Sequence, residues 1–206
     1  MPNRVTGLDA FFHNLKEIRR TSVMAAGGLM LLPMAAGLGG FMPPWPNGII
    51  AITTLAELVM IVVNFQFFHR ISKKKASKIT LAYAFLTILF SGFYMIGNAS
   101  FIYTIPTQST RIILGCGLTQ DAQLILKMEG AYPTEDECPG DFTALLESAK
   151  YESDKIWTKK SVSRIKYMLA FVWVGAFGSL AAMLGVFISF QSRQQPRPVR
   201  RDSSTT

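Results

Sequence analysis

The segment Tyr167–Phe190, YMLAFVWVGAFGSLAAMLGVFISF, contains no charged residue over 24 positions. Because a helix rises about 1.5 Å per residue, this segment is long enough to cross a hydrocarbon core of about 30 Å. Three more stretches of 20 to 25 residues share this character, with Glu57 as their only charged residue: Ser22–Phe41, Gly48–Phe68 and Ile79–Tyr103. The sequence therefore predicts an all-α integral membrane protein, built as a bundle of four transmembrane helices.

The composition excludes an ordinary soluble enzyme. Half of the 206 residues are apolar and only 17% are charged, whereas soluble domains carry about 25% charged residues. The segments outside the four spans are predicted to be an amphipathic cytoplasmic helix (1–21), a short turn (42–47), a basic link (69–78), an outer loop domain (104–166) and a disordered basic tail (191–206).

Charge predicts the topology. The N-terminal segment, the link and the tail together carry 13 Lys or Arg residues and three acidic residues, whereas the loop domain carries eight basic and nine acidic residues. Because basic segments stay in the cytoplasm, both termini and the link are predicted to be cytoplasmic, in a bacterial inner membrane. The link contains Lys73, Lys74 and Lys75, which would contact lipid headgroups or a cytoplasmic protein. The net charge of +8 therefore reflects topology rather than direct nucleic-acid binding.

The two cysteines, Cys116 and Cys138, both lie in the predicted outer loop domain. Oxidising compartments favour disulfides, so we expect these residues to pair. The bond would close a ring of 23 residues and stabilise the loop by roughly 3 kcal/mol. A redox-active pair is the alternative, but the C-x-x-C spacing is absent.

Two further helices are predicted in the loop domain. Thr119–Lys127 has the pattern of a short helix. From Asp141 to Val174 the sequence contains neither Gly nor Pro, the residues that most often end a helix. We therefore expect one long helix that starts at Asp141, projects outside the membrane and continues into the fourth span.

Glu57 lies near the middle of the second span, where an acidic side chain costs about 3 kcal/mol. Its side chain is therefore expected to face protein or water rather than lipid. Helical spacing groups the polar residues of the second and third spans into two stripes, formed by Thr53, Glu57 and Asn64 on the second and by Thr87, Ser91, Tyr94 and Asn98 on the third.

Two interpretations of these stripes remain open. In the first, the second and third helices form a hydrogen-bond ladder in which a neutral Glu57 lies level with Tyr94. Thr53 would then lie near Asn98, and Asn64 near Thr87. In the second, Glu57 borders a water-filled path or binds an ion, and influences conduction or gating.

The first and fourth spans carry small residues four positions apart, a spacing that lets another helix approach closely. These faces are predicted to assemble protomers into a homo-oligomer. The pairs are Ala35 with Gly39 and Ala36 with Gly40 in the first span, and Gly175 with Ser179, Gly178 with Ala182 and Ala181 with Gly185 in the fourth.

No motif predicts a catalytic, cofactor or metal site. The sequence lacks H-E-x-x-H, a glycine-rich phosphate loop and a serine elbow. Its two histidines, His13 and His69, lie beside basic clusters. The acidic run between Glu135 and Asp141 is interpreted as a solvated turn.

The cytoplasmic termini, the short first outer turn and the larger disulfide-bearing loop resemble the topology of tetraspanins. The Cys-Cys-Gly signature of that family is missing, since this chain has only Gly115-Cys116-Gly117. The resemblance therefore assigns no family.

The expected function is that of a non-enzymatic, oligomerising membrane subunit that senses a signal or recruits a cytoplasmic partner. Subunits of this kind occur in bacterial stress, immunity and phage-defence systems. The alternative is a gated pore or channel-forming effector in which Glu57 borders the path.

Overall fold

The structure, a computed structural model, describes residues 28, 31–68, 71–105, 110–128, 138 and 143–191. The predicted N-terminal helix (1–21), most of the first half of the first span and nearly all of the tail (191–206) lie outside the described residues. The described chain is mostly helical. Its elements are α1 (Ile49–Phe68), α2 (Lys73–Phe101), β1 (Ile102–Thr104), β2 (Arg111–Ile113), α3 (Gln120–Met128), α4 (Thr143–Ser148), α5 (Ser153–Ile156) and α6 (Lys159–Gln191).

Three helices in the described part of the chain are long and apolar enough to cross a membrane: Ile49–Phe68, Lys74–Phe101 and Lys159–Phe187. They coincide with the predicted second, third and fourth spans. Of the predicted first span, residues 31–38 are helical. The architecture is therefore compatible with a membrane protein.

Helix α6 is the central element, since it packs against both α1 and α2, whereas α1 and α2 barely touch each other. It runs parallel to α1, with Trp173 beside Thr53 and Gly185 beside Asn64. It runs antiparallel to α2, where Leu169 contacts Gly97. Each flanking helix thus buries one face against α6.

A glycine turn ends the helical segment 31–38. Gly40 adopts a left-handed φ of 76°, its N–H donates to Gly37 O at 3.1 Å, and Phe41 N–H donates to Ala36 O at 3.0 Å. This is a Schellman motif, which glycine favours because it has no Cβ. Gly39 and Gly40 follow the last helical residue, so the predicted pairs of Ala35 with Gly39 and of Ala36 with Gly40 extend past the end of the helix into this turn.

The basic link is shorter than predicted. Helix α2 begins at Lys73, after Ser72 in an extended conformation, so Lys74 and Lys75 form part of its first turn rather than a loop. The lysines have a high helix propensity, and this favours continuing the third span into the link. Lys74 and Lys75 are exposed at the end of α2 opposite β1.

At the other end of the three helices, the described parts of 102–158 form a small domain that we call the cap. Strands β1 and β2 pair antiparallel, with Tyr103 opposite Ile112. The predicted short helix is confirmed as α3, and the hydroxyl of Thr119 accepts a hydrogen bond from Ala122 N–H at its start, at 3.3 Å.

The prediction of one long helix from Asp141 is wrong. Lys150 and Tyr151 adopt left-handed φ values of 53° and 61°, and they separate α4 from α5. Trp157 then forms an isolated antiparallel bridge with Leu118, so α6 begins only at Lys159. The fully buried side chain of Trp157 outweighs the absence of helix-breaking residues.

The core of the cap is continuous with the first turns of α6. Trp157 belongs to the same cluster of buried side chains as Leu146, Ile156 and Ile113, and this cluster extends to Leu169 on α6. The cap is therefore fixed to the central helix.

Candidate functional site

The side chain of Arg111, on β2, joins the cap to helix α2 and to the turn at 40–42. Its Nη1 donates to Gly40 O and Met42 O, each at 2.6 Å, and its Nη2 donates to Asn98 Oδ1 at 2.7 Å. The carbonyls follow the C-terminus of the helical segment 31–38, where a positive charge is favourable. Asn98 lies on the last turn of α2.

Tyr94 completes this junction. Its hydroxyl donates to Phe41 O, so the three successive carbonyls at 40–42 are all bound by side chains from the cap or α2. We call Arg111, Asn98, Tyr94 and these carbonyls the clasp. Because both donors are attached to other elements, the clasp holds the turn at 40–42 to α2 and to the cap.

Trp173 connects the clasp to the interior of the helices. Its ring lies edge-on to the Tyr94 ring, with centroids 5.0 Å apart. Its Nε1 donates to Thr53 Oγ1 at 3.0 Å. Trp173 therefore links α2 and α1 from a position on α6 that is only 3% exposed.

Small residues of α6 face the polar stripe of α1, and we call this contact the seam. A Cβ placed on Gly185 would lie 3.4 Å from Asn64 Cβ, and one on Gly178 would lie 3.9 Å from Met60 Cγ. Ala182 is fully buried. The predicted small-residue face of the fourth span is thus used within the chain. Oligomerisation stays a prediction, but this face is not free to provide it.

Glu57 lies in the seam with 0% exposure. Among the described residues, neither of its carboxylate oxygens has a hydrogen-bond partner. Two helical turns further along, Asn64 is 1% exposed. Its Nδ2 donates to Met60 O at 2.6 Å, but its Oδ1 is unpartnered within the described chain. The seam therefore contains unsatisfied oxygen acceptors on one stripe.

The predicted ladder between the second and third helices does not form, because α6 lies between them. Thr53 bonds to Trp173 rather than to Asn98. Thr87 lies 3.0 Å from Ser179 of α6 rather than bonding to Asn64. Tyr94 bonds to the turn at 40–42, as described above, and Ser91 is exposed.

The structure contains the predicted disulfide between Cys116 and Cys138, with Cα atoms 4.9 Å apart. Ser161, in the first turn of α6, accepts hydrogen bonds through its Oγ from Cys116 N–H at 2.6 Å and Gly117 N–H at 3.0 Å. The disulfide ring is thus anchored to the central helix.

The sequence did not identify Arg111, Trp173 or Ser161 as important residues. Arg111 is the first basic residue after the third span, a position where a side chain can reach the ends of neighbouring helices. That signal is weak, because the partners of Arg111 are backbone carbonyls that no sequence pattern marks. No group of three or more metal-ligating side chains occurs in the residues that the structure describes.

Comparisons of the chain with protein-family models, with curated proteins and with solved structures found no match.

Proposed function

We propose that this chain is a non-enzymatic, four-pass membrane protein in which the cap senses a signal outside and the basic end recruits a partner in the cytoplasm. In this arrangement both termini are cytoplasmic and the first span supplies the fourth crossing. A membrane subunit of a bacterial stress, immunity or phage-defence system has this kind of role.

The observation that carries the proposal is the clasp. Arg111 belongs to the cap, yet the three side-chain hydrogen bonds described above go to the turn at 40–42 and to α2. Tyr94 and Trp173 then continue the contact to Thr53 of α1. A displacement of β2 would change contacts to several helices at once, and such contacts are what coupling between distant sites requires.

The recruiting surface is the exposed start of α2. Lys74, Lys75 and Lys78 are exposed there, and the first turn of α2 has no acidic residue. Such a cluster attracts anionic lipid headgroups or an acidic protein surface. Assembly of protomers, where it occurs, would use another surface, and the exposed apolar face of α2 around Leu81, Phe85 and Ile88 is the candidate.

The test is hydrogen–deuterium exchange of the full chain in lipid nanodiscs, with Arg111→Gln compared with the wild type. We expect faster exchange in the cap and also at the basic end around 71–78. Arg164→Gln is the matched control, because Arg164 is exposed on α6 and takes no part in the clasp. Faster exchange confined to the cap would contradict the proposed coupling.

A gated pore is the second candidate function, favoured by the carboxyl group of Glu57 in the middle of α1, which has no hydrogen-bond partner among the described residues. Because Glu57 is fully buried, this conformation would be the closed state. Planar-bilayer recording of the purified protein tests the idea. A conductance in the wild type that is reduced in a folded Glu57→Gln variant would support the pore. The absence of any conductance in the wild type would reject it.

A further inference from the structure

The charge on Glu57 has no available counter-charge in the membrane-spanning part of the chain. Between Thr21 and Phe68, Glu57 is the only ionisable residue. None of the four predicted spans contains Lys, Arg or His. An isolated carboxylate is very costly to bury in an apolar environment, so a bound positive species must neutralise it while the seam is closed.

None of the other three predicted spans supplies a charged group to Glu57. On α6, the segment 167–190 has Tyr167 as its only titratable residue, and the exposed Tyr167 lies at the cap end, against Trp45. On α2, the titratable residues within the span are Tyr83 and Tyr94, and the Tyr94 hydroxyl is committed to Phe41 O. The first span, Ser22–Phe41, has no ionisable residue.

The oxygen ligands in the seam are too few for a metal cation. Hard cations such as Ca²⁺ and Mg²⁺ take six or more oxygen ligands, including water. Beyond the two Glu57 oxygens, the nearest side-chain oxygen along the stripe is that of Thr53, which already donates to Ile49 O and accepts from Trp173. Asn64 lies two helical turns away. A proton requires only one oxygen, so it is the species that fits.

We propose that Glu57 is a proton-binding site that keeps the seam between α1 and α6 closed. With the proton bound, the neutral carboxyl group fits against the small residues of α6. Loss of the proton leaves a carboxylate that needs water, so α1 and α6 must separate. The Oδ1 of Asn64, which has no partner in the described part of the chain, then offers the entering water a second acceptor further along the same stripe.

The experiment measures the separation of α1 and α6 in the full chain in nanodiscs, over a range of pH. Spin labels are attached to Phe67→Cys on α1 and Phe187→Cys on α6, which replace side chains that are 74% and 48% exposed. Pulsed electron resonance gives the distance. We expect a longer-distance population that grows as the pH rises, and its loss in the same labelled protein carrying Glu57→Gln.

Infrared spectroscopy provides a second measurement that does not depend on the labels. The wild type should show the carbonyl band of a protonated carboxyl group, and that band should be absent from Glu57→Gln. Three results would overturn the proposal: a distance distribution that is independent of pH, a pH response that persists in Glu57→Gln, or no difference in the carboxyl band. If the distance between the labels at positions 67 and 187 stays short in Glu57→Gln at every pH, that distance also shows that the variant is folded.

Discussion

Trp173 is the residue whose side chain connects the three described membrane-length helices. It belongs to α6, stacks edge-on against Tyr94 of α2 and donates to Thr53 of α1. In a membrane interior, where apolar surface provides little preference for one neighbour over another, packing and such polar contacts set which helices associate. Spacing in the sequence placed Thr53 on the correct face of its helix, but it could not show which helix lies opposite.

Thr53→Val should therefore destabilise the protein by about 1 kcal/mol, the size of an interhelical hydrogen bond in a membrane. Thr54→Val is the matched control, because in the described part of the chain the Thr54 hydroxyl donates to Ile50 O of its own helix and not to another helix. Reversible unfolding in mixed detergent micelles measures the free energy of unfolding of both variants. Equal losses for the two variants would show that the Trp173 contact adds nothing.

Gly115 is required by the close approach of Trp157. A Cβ at this position would lie 2.7 Å from Trp157 Cβ and 2.9 Å from its Cγ. Gly115→Ala should thus cost about 1–3 kcal/mol through overpacking and lower the melting temperature. Gly92→Ala, at a helical position with no atom within 4 Å of the added Cβ, should leave stability unchanged or raise it. If both variants melt alike, the packing of Trp157 against Gly115 is not a constraint.

At the scale of elements, the sequence correctly predicted that α6 is a helix long and apolar enough to cross a membrane, but not where this helix begins. The length of its apolar run fixes the part that is suited to crossing a membrane. Its beginning depends on Trp157, which is buried among residues of the cap that are distant in sequence. Absence of Gly and Pro permits a helix without requiring one, and here burial of an aromatic side chain decides the outcome.

The small residues of α6 give a prediction that separates packing within the chain from assembly between chains. Gly185→Leu should push α1 away, since a Cβ alone would lie 3.4 Å from Asn64 Cβ and 3.6 Å from Ile61 Cα. We expect a loss of at least about 2 kcal/mol. Gly92→Leu, on the exposed face of α2, is the control.

Native mass spectrometry from nanodiscs gives the number of protomers for the same two variants, Gly185→Leu and Gly92→Leu. If Gly185→Leu lowers the number of protomers while the melting temperature stays that of the wild type, the α6 face acts between chains and the seam described above is wrong.

The disulfide ring is a separate element whose effect should be local. Replacing Cys116 and Cys138 together by Ser should reduce the stability of the cap by roughly 3 kcal/mol, from the loss of the loop constraint. The hydrogen bonds from Cys116 and Gly117 to Ser161 are made by the backbone and can persist. Hydrogen–deuterium exchange should therefore speed up in the cap and remain slow in the middle of α6. Uniform acceleration along the chain would contradict a local role.

At the scale of the whole molecule, sensing outside and recruitment inside require the cap and the basic start of α2 to lie on opposite sides of the membrane. The basic start of α2 and the cap lie at opposite ends of α2, since Arg111 contacts Asn98 on its last turn. The sequence could predict this separation because charge and cysteines are distributed unevenly along the chain. It could not predict the clasp, whose acceptors are backbone carbonyls.

The measurement that tests this arrangement most directly is labelling of single introduced cysteines by a membrane-impermeant maleimide, in intact cells and after lysis. The positions are Asn3→Cys at the N-terminus, Ser77→Cys near the basic end of α2 and Lys127→Cys in the cap, the last two being exposed. We predict that only Lys127→Cys is labelled in intact cells and that all three are labelled after lysis. Labelling of Asn3→Cys but not Ser77→Cys in intact cells would mean that the first span does not cross, and labelling of Ser77→Cys there would contradict the account.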